Sequence, residues 1–385
     1  MISKISARTL CAVAVLAFSL CIASNPARAE GPYFKVVRKA VVYDGSASSS
    51  PGIVKAQNGD LLVSFGANQD SYIIRSQNNG KTWEKPRLVV MGAGTEIGIT
   101  GLPNGTILWP IMQQLVKMPC CEVRRFTTYV YRSNDNGATW HGDVPIHVQM
   151  REPIPYGHIL QLPGGKLLMP VWGAYRRGER WQVGTFQSTD GGKTWGHYQQ
   201  IAYDPEAGCR PDNGFNETSI AQLPDHTLVA ILREQRVGTR DHTPAAGPCG
   251  HYTEPADHFY RSVSHDLGKT WSHPQRLALI GTSPSLFVLP DGTLVLGDRD
   301  HPQFKGDTRH YGLGVRVSHD QGRTWTSEVE LQDPKGLHYS KKMQPGYPDF
   351  VSLPNGDLLV VFYSLEIHNG KVRHYIAENV LRRIH

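Results

Sequence analysis

Glu217 and Arg233 share one apolar, strand-like stretch, "NETSIAQLPDHTLVAILRE" (216–234). A carboxylate or guanidinium buried in such a run without a partner is expensive. Both are therefore expected to face each other or a ligand. Tyr347 stands in "GYPDFVSLPNGDLLVVFYS" (346–364), at the start of a second such run. A phenol with a pKa near 10 is a sluggish nucleophile, but a neighbouring carboxylate can draw off its proton. A tyrosine, a carboxylate and arginines suit displacement at a carbon that itself bears a carboxylate. A carboxylate nucleophile would be repelled there, whereas a neutral hydroxyl is not. The guanidinium fork matches the carboxylate in a bidentate way, and an aspartate on the opposite side would protonate the leaving oxygen.

Other chemistries find less support. None of the 17 histidines pairs at the spacing of a zinc site. "GGKT" and "LGKT" lack the glycine five residues upstream that a phosphate loop requires. No cofactor and no metal are expected. The formal net charge is +6, without the clustered basic face of a nucleic-acid binder.

"MISKISARTL", the apolar "CAVAVLAFSLCIA" and the small-x-small site "ARAE" read as a secretory signal peptide over 1–29. The expected product is an exported chain, periplasmic or extracellular, with no membrane insertion and one domain over 30–385. "FSLC" lacks the small residue expected before a lipidated Cys21. Beyond the leader stand Cys120, Cys121, Cys209 and Cys249. Export permits disulfides, and Cys209–Cys249 is the preferred pair.

The elements that must position the chemistry repeat along the chain. "SQNNGKTW" (76–83), "SNDNGATW" (133–140), "STDGGKTW" (188–195), "SHDLGKTW" (264–271) and "SHDQGRTW" (318–325) are one phrase written five times. The aspartate accepts hydrogen bonds from its own turn, the glycine supplies a positive φ and the tryptophan packs between strands. A second phrase occurs six times, in forms such as "LPNGTILWPI" (102–111) and "LPDGTLVLGD" (289–298). It reads as a hairpin turn between strands. Hairpin, third strand, aspartate turn and fourth strand make a four-stranded unit. Six units make an all-β, six-bladed β-propeller of antiparallel blades. The last blade lacks the turn phrase and is expected to close with the N-terminal "YFKVVRKAVVYD". The wider gap between Trp195 and Trp271 marks a Gly/Pro-rich insertion, expected to rim the central pocket.

Five such turns with six hairpins resemble the bacterial sialidase (neuraminidase) superfamily, whose repeats are known as Asp boxes or BNR repeats. The likeness spans nearly all of the chain beyond the leader. It implies an exo-glycosidase acting on a terminal acidic sugar, with an acidic glycan as partner. It assigns Tyr347 as nucleophile, Glu217 as its base and Asp70, in "ANQDSYIIRS", as acid/base. Arg233 and Arg309 match the carboxylate clamp, and Arg299, in "LVLGDRDHP", is a rival to Arg233. At one clamp position, in "SASSSPGIV", Ser49 replaces the family's arginine. That departure keeps open two rivals, a polysaccharide lyase acting on uronic-acid glycans and a non-catalytic binding propeller.

Overall fold

The computed structural model describes residues 32–45, 49–94, 98–117, 124–146, 150, 153–176, 179–207, 213–236, 257–300, 311–339 and 345–384. The leader, the four cysteines, most of the insertion and Arg309 lie outside these residues.

The described residues contain strands and no helix. Six antiparallel sheets follow one another around a ring. Blade one is Ser49–Lys55, Leu61–Ala67, Asp70–Ser76 and Arg87–Val90. In blades two and three the innermost strand is broken into two short pieces, Ala93–Gly94 with Thr100–Gly101 and Ile154–Pro155 with Leu160–Gln161. Blade four is Gly214–Gln222, Leu228–Gln235, Asp257–Ser264 and Gln275–Ile280. Blade five opens with Thr282–Val288 and Leu294–Asp300, and blade six with Gly346–Ser352, Leu358–His368 and Lys371–Arg383. The outer strand of blade six is Phe34–Tyr43 from the start of the described chain, paired along Lys371–Arg383. The expected ring closure is therefore present, and it leaves no open gap between first and last blades.

Second strands such as "LLVSF" and "LVAIL" are buried at every position because blades cover both of their faces. The core accordingly divides into six apolar clusters, one at each blade–blade interface. Val63 and Phe65 of blade one meet Val361 of blade six, for example, and Val229 and Ile231 of blade four meet Leu286 and Leu296 of blade five.

Both repeated phrases do the work expected of them. In the hairpin turns, Leu102 N–H donates to Thr106 O and Gly105 N–H to Leu102 O, and the same pair of bonds recurs around Leu162, Leu289 and Leu353. The turn residue with positive φ is glycine in five copies and His226 (φ 68°) in blade four. In the aspartate turns, Asp266 Oδ1 accepts from Thr270 N–H at 2.9 Å, and Oδ2 accepts from the Thr270 hydroxyl at 2.6 Å. These bonds hold the Asp266 carboxyl down at about 2. Asn78 closes the first turn through Thr82 as well: its Oδ1 accepts from Thr82 N–H at 2.9 Å, while its Nδ2 donates to the Thr82 hydroxyl oxygen at 2.8 Å.

Strand direction places the candidate residues. Every hairpin turn and aspartate turn lies at one end of the ring. Innermost strands begin, and second strands end, at the other. Glu217, Arg233, Arg299, Tyr347 and Asp70 all fall at that second end, here called the mouth.

Candidate active site

The innermost strands of blades one, four, five and six each carry a bulge near the mouth, where the pairing slips by one residue. Bulges re-aim side chains. In blades one, five and six the bulge holds a residue in the left-handed region directly before a proline: Ser50 (φ 48°), Ser283 (φ 56°) and Tyr347 (φ 55°). For a residue as bulky as tyrosine this is a strained conformation. In blade four the bulged residue is Glu217, between the paired Asn216 and Thr218.

These bulges converge. The Tyr347 hydroxyl donates to Glu217 Oε1 at 2.9 Å, although 130 positions separate them. Glu217 Oε2 accepts from Arg233 Nη1 at 2.6 Å and from the Ser283 N–H at 2.8 Å. Glu217 is 7% exposed and Arg233 4%. Burial works against the Glu217 charge, but Arg233, Arg299 and the Ser283 N–H outweigh it and hold its carboxyl below the usual range. Glu217 is therefore an ionised acceptor aimed at a phenol.

Arg233 is committed to protein partners. Its Nε and Nη2 donate to Asp257 Oδ1 at 3.1 and 3.0 Å, and Nη2 also donates to Gln235 Oε1 at 2.9 Å. With Glu217 included, this buried guanidinium bridges two carboxylates. Arg299 reaches the same cluster from blade five. It donates to Thr282 Oγ1 at 2.8 Å and to the Tyr363 hydroxyl at 3.1 Å. The Tyr363 ring lies 5.9 Å from that of Tyr347, and the Tyr156 ring lies 6.1 Å from it on another side.

Asp70 opens the third strand of blade one at the mouth. Its Oδ1 accepts from Gly92 N–H at 2.9 Å, so it belongs to the blade-one rim, not to the Tyr347–Glu217–Arg233 hydrogen-bonded cluster. Ser49 lies at the blade-one bulge, its backbone paired with Gly66. No group of three or more metal-ligating side chains occurs among the described residues. A cavity of about 450 Å³ opens at the far end of the ring, lined by Arg38, Asn79, Pro354, Asp357 and Arg382. It holds no tyrosine–carboxylate pair, whereas the described candidate residues lie at the mouth.

Sequence reasoning missed Ser283, Asp257 and Tyr363. For Ser283 a signal was present: "SSP" (49–51), "TSP" (282–284) and "GYP" (346–348) recur at the blade openings. Asp257 follows the insertion directly and had no pattern to mark it.

The family model for the BNR repeat-like domain matches residues 103–360. The chain belongs to the BNR repeat-like domain family. A curated sialidase from Bacteroides fragilis (strain YCH46) is 24% identical over 354 residues, which are 79% of this chain and 58% of that relative. The chain thus spans little more than half of that relative's length. Among solved structures, a protein of unknown function from Dyadobacter fermentans DSM 18053 superposes with a TM-score of 0.71 at 21% identity, over 91% of this chain and all of the other. An α-L-arabinanase from Penicillium chrysogenum, complexed with arabinobiose, superposes at 0.61 with 16% identity, over 91% and 98%. At these identities the structural likeness speaks for the fold. The sialidase-like propeller read from the repeats is the architecture found.

Proposed function

We propose that this chain is an exo-acting glycosidase that removes a terminal acidic sugar through Tyr347. The observation that carries the proposal is the 2.9 Å hydrogen bond from the Tyr347 hydroxyl to the buried, ionised Glu217. As a phenol attacks the anomeric carbon, its proton passes to Glu217. A glycosyl–tyrosine bond forms as the bond to the leaving oxygen breaks, and water then releases the sugar. Two displacements retain the anomeric configuration, the outcome of a covalent intermediate in general. Asp70 is the acid/base in this scheme. It gives its proton to the leaving oxygen and takes one from the attacking water.

Arg233 is assigned here to Glu217 rather than to substrate, since Glu217, Asp257 and Gln235 occupy it. Arg299 and Arg309 remain the ligands for the sugar carboxylate. With Ser49 in place of an arginine, the clamp is smaller than a three-arginine one, which favours a substrate held by two cations. The curated relative named sialidase supports the acidic-sugar reading. The arabinanase likeness makes neutral furanosides the natural control.

The test is hydrolysis of 4-methylumbelliferyl glycosides of sialic acid, a uronic acid and L-arabinofuranose, by the wild type and Tyr347→Phe. We expect release from an acidic glycoside and a loss of about 10³-fold or more in kcat for Tyr347→Phe with folding intact. Cleavage of the arabinofuranoside alone would overturn the acidic-sugar reading. On a 4-linked oligouronide, a product with a new 4,5-double bond, formed without uptake of water as the C4–O4 bond breaks, would show a lyase.

A further inference from the structure

Beneath Tyr347, one side chain crosses the axis of the ring. His158 sits between the two short innermost pieces of blade three. Its Nε2 lies 2.7 Å from Asp349 Oδ1 of blade six, and its Nδ1 lies 3.0 Å from the Ile99 carbonyl of blade two. Asp349 is two residues beyond Tyr347 on the same strand and ends the same bulge. Its other oxygen accepts from Ile53 N–H of blade one at 2.7 Å. The His158–Asp349 contact therefore ties blades one, two, three and six together directly under the proposed nucleophile.

The partners decide the protonation state. Asp349 accepts from the N–H groups of Ile53 and Phe350, so it is present as the carboxylate. Ile99 offers a carbonyl oxygen, which can only accept. The Thr100 hydroxyl donates to Gly98 O at 3.0 Å and so faces Nδ1 at 3.4 Å as an acceptor. A neutral imidazole has one N–H and would set a lone pair against one of these oxygens. The doubly protonated ring satisfies all of them.

We infer that His158 is a standing imidazolium and a positioning residue for Tyr347, joined through Asp349 to the bulge that aims the tyrosine at Glu217. The inference deepens the proposed function and rests on it for the role of Tyr347. The protonation state itself rests on geometry alone. Burial disfavours the charged ring, but Asp349 and the Ile99 carbonyl overcome that, and the pKa of His158 is raised. A side chain 23% exposed is not fully stripped of water, which helps it carry the charge. Asp349 is the charged group in contact with it. The nearby titratable groups on packed elements are Tyr156 of its own segment and Tyr347, whose rings lie 6.1 Å apart, with Glu217 beyond Tyr347.

Sign follows from direction. With a folded pKa above its unfolded value near 6.5, His158 contributes stability that is complete below about pH 6.5. That stability fades as pH rises through the raised value. The alkaline limb of activity should follow the same titration.

The experiment has two arms on the full chain. Long-range ¹H–¹⁵N NMR of the imidazoles should show both nitrogens of His158 protonated at pH 7.5, and a neutral ring there in Asp349→Asn. In parallel, kcat and KM of His158→Gln are followed from pH 4 to 10 on whichever glycoside the wild type cleaves. We expect kcat to fall about tenfold, KM to stay within twofold, and the alkaline limb to leave its wild-type position. A merely structural role would lower the melting temperature and leave the pH profile in place, and that result would overturn the inference. So would a singly protonated ring at pH 7.5 in the wild type. If no glycoside is cleaved, the functional reading fails on its own, and the NMR arm still decides the charge state.

Discussion

At the scale of single residues, the site is organised by who holds Glu217. Its carboxylate serves Tyr347 with one oxygen and Arg233 and Ser283 with the other. Replacing Arg233 by alanine would leave Glu217 and Asp257 as buried like charges without their bridge. Removing one partner of a buried ion pair costs about 3–5 kcal/mol. Arg233→Ala should therefore lower the urea unfolding free energy by about that much, beyond any effect on binding. A variant as stable as the wild type would show that the guanidinium is not needed to hold the pair. The pH dependence points the same way. Because the Glu217 carboxyl lies below its ordinary 4.5, the stability it contributes is present above that pH. It is lost only as pH falls through the depressed value. The acid limb of kcat/KM assigned to Glu217 should accordingly lie below pH 4.5 in the wild type and rise in Arg233→Lys, whose single ammonium cannot bridge both carboxylates.

At the scale of elements, the repeated turns carry the fold, and their exceptions are informative. His226 takes the left-handed position that glycine holds in the other five hairpins, and its side chain is exposed. His226→Gly should relieve more strain than it costs in unfolded-state entropy and stabilise the protein by about 0.5–1 kcal/mol in denaturant melts. A destabilised variant would mean that the histidine makes a contact worth more than its strain. The two phrases made the blade architecture legible from the sequence, because a turn that needs glycine, asparagine or aspartate at fixed offsets leaves a mark in the letters. Glu217 and Arg233 stood out as charged residues in apolar runs, and Tyr347 was singled out through the resemblance; the structure brings the three together. The crossing contacts were not legible. Nothing in the order of residues joins His158 to Asp349 or Ser283 to Glu217, because ring closure brings innermost strands together at distances along the chain that no local pattern encodes. The bulges left only a faint trace, the recurring residue–proline pairs at 50–51, 283–284 and 347–348. The insertion, the cysteine pair and Arg309 fall outside the described residues and stand as expectations.

At the scale of the whole molecule, the ring is what makes a site from residues 130 positions apart, and it closes through Phe34–Tyr43. That strand pairs along Lys371–Arg383. Arg38 also reaches Glu378 at 2.9 Å, and Glu378 accepts from the Trp83 indole of blade one at 3.2 Å. Deleting residues 30–43 would bare the edge of blade six, and an unpaired edge is a template for aggregation. We expect the truncated chain to sediment as aggregate or to melt well below the full chain. A monomeric truncation with unchanged melting would show that the ring closes without this strand. The same ring sets Tyr347 of blade six against Glu217 of blade four, and the central claim is that this phenol takes the sugar. The most direct measurement is peptide mapping by mass spectrometry of enzyme quenched in acid during turnover of the acidic glycoside. The account predicts a peptide containing Tyr347 that carries one sugar residue, absent from Tyr347→Phe. Turnover with no adduct on Tyr347, and a Tyr347→Phe variant that keeps its rate, would contradict it.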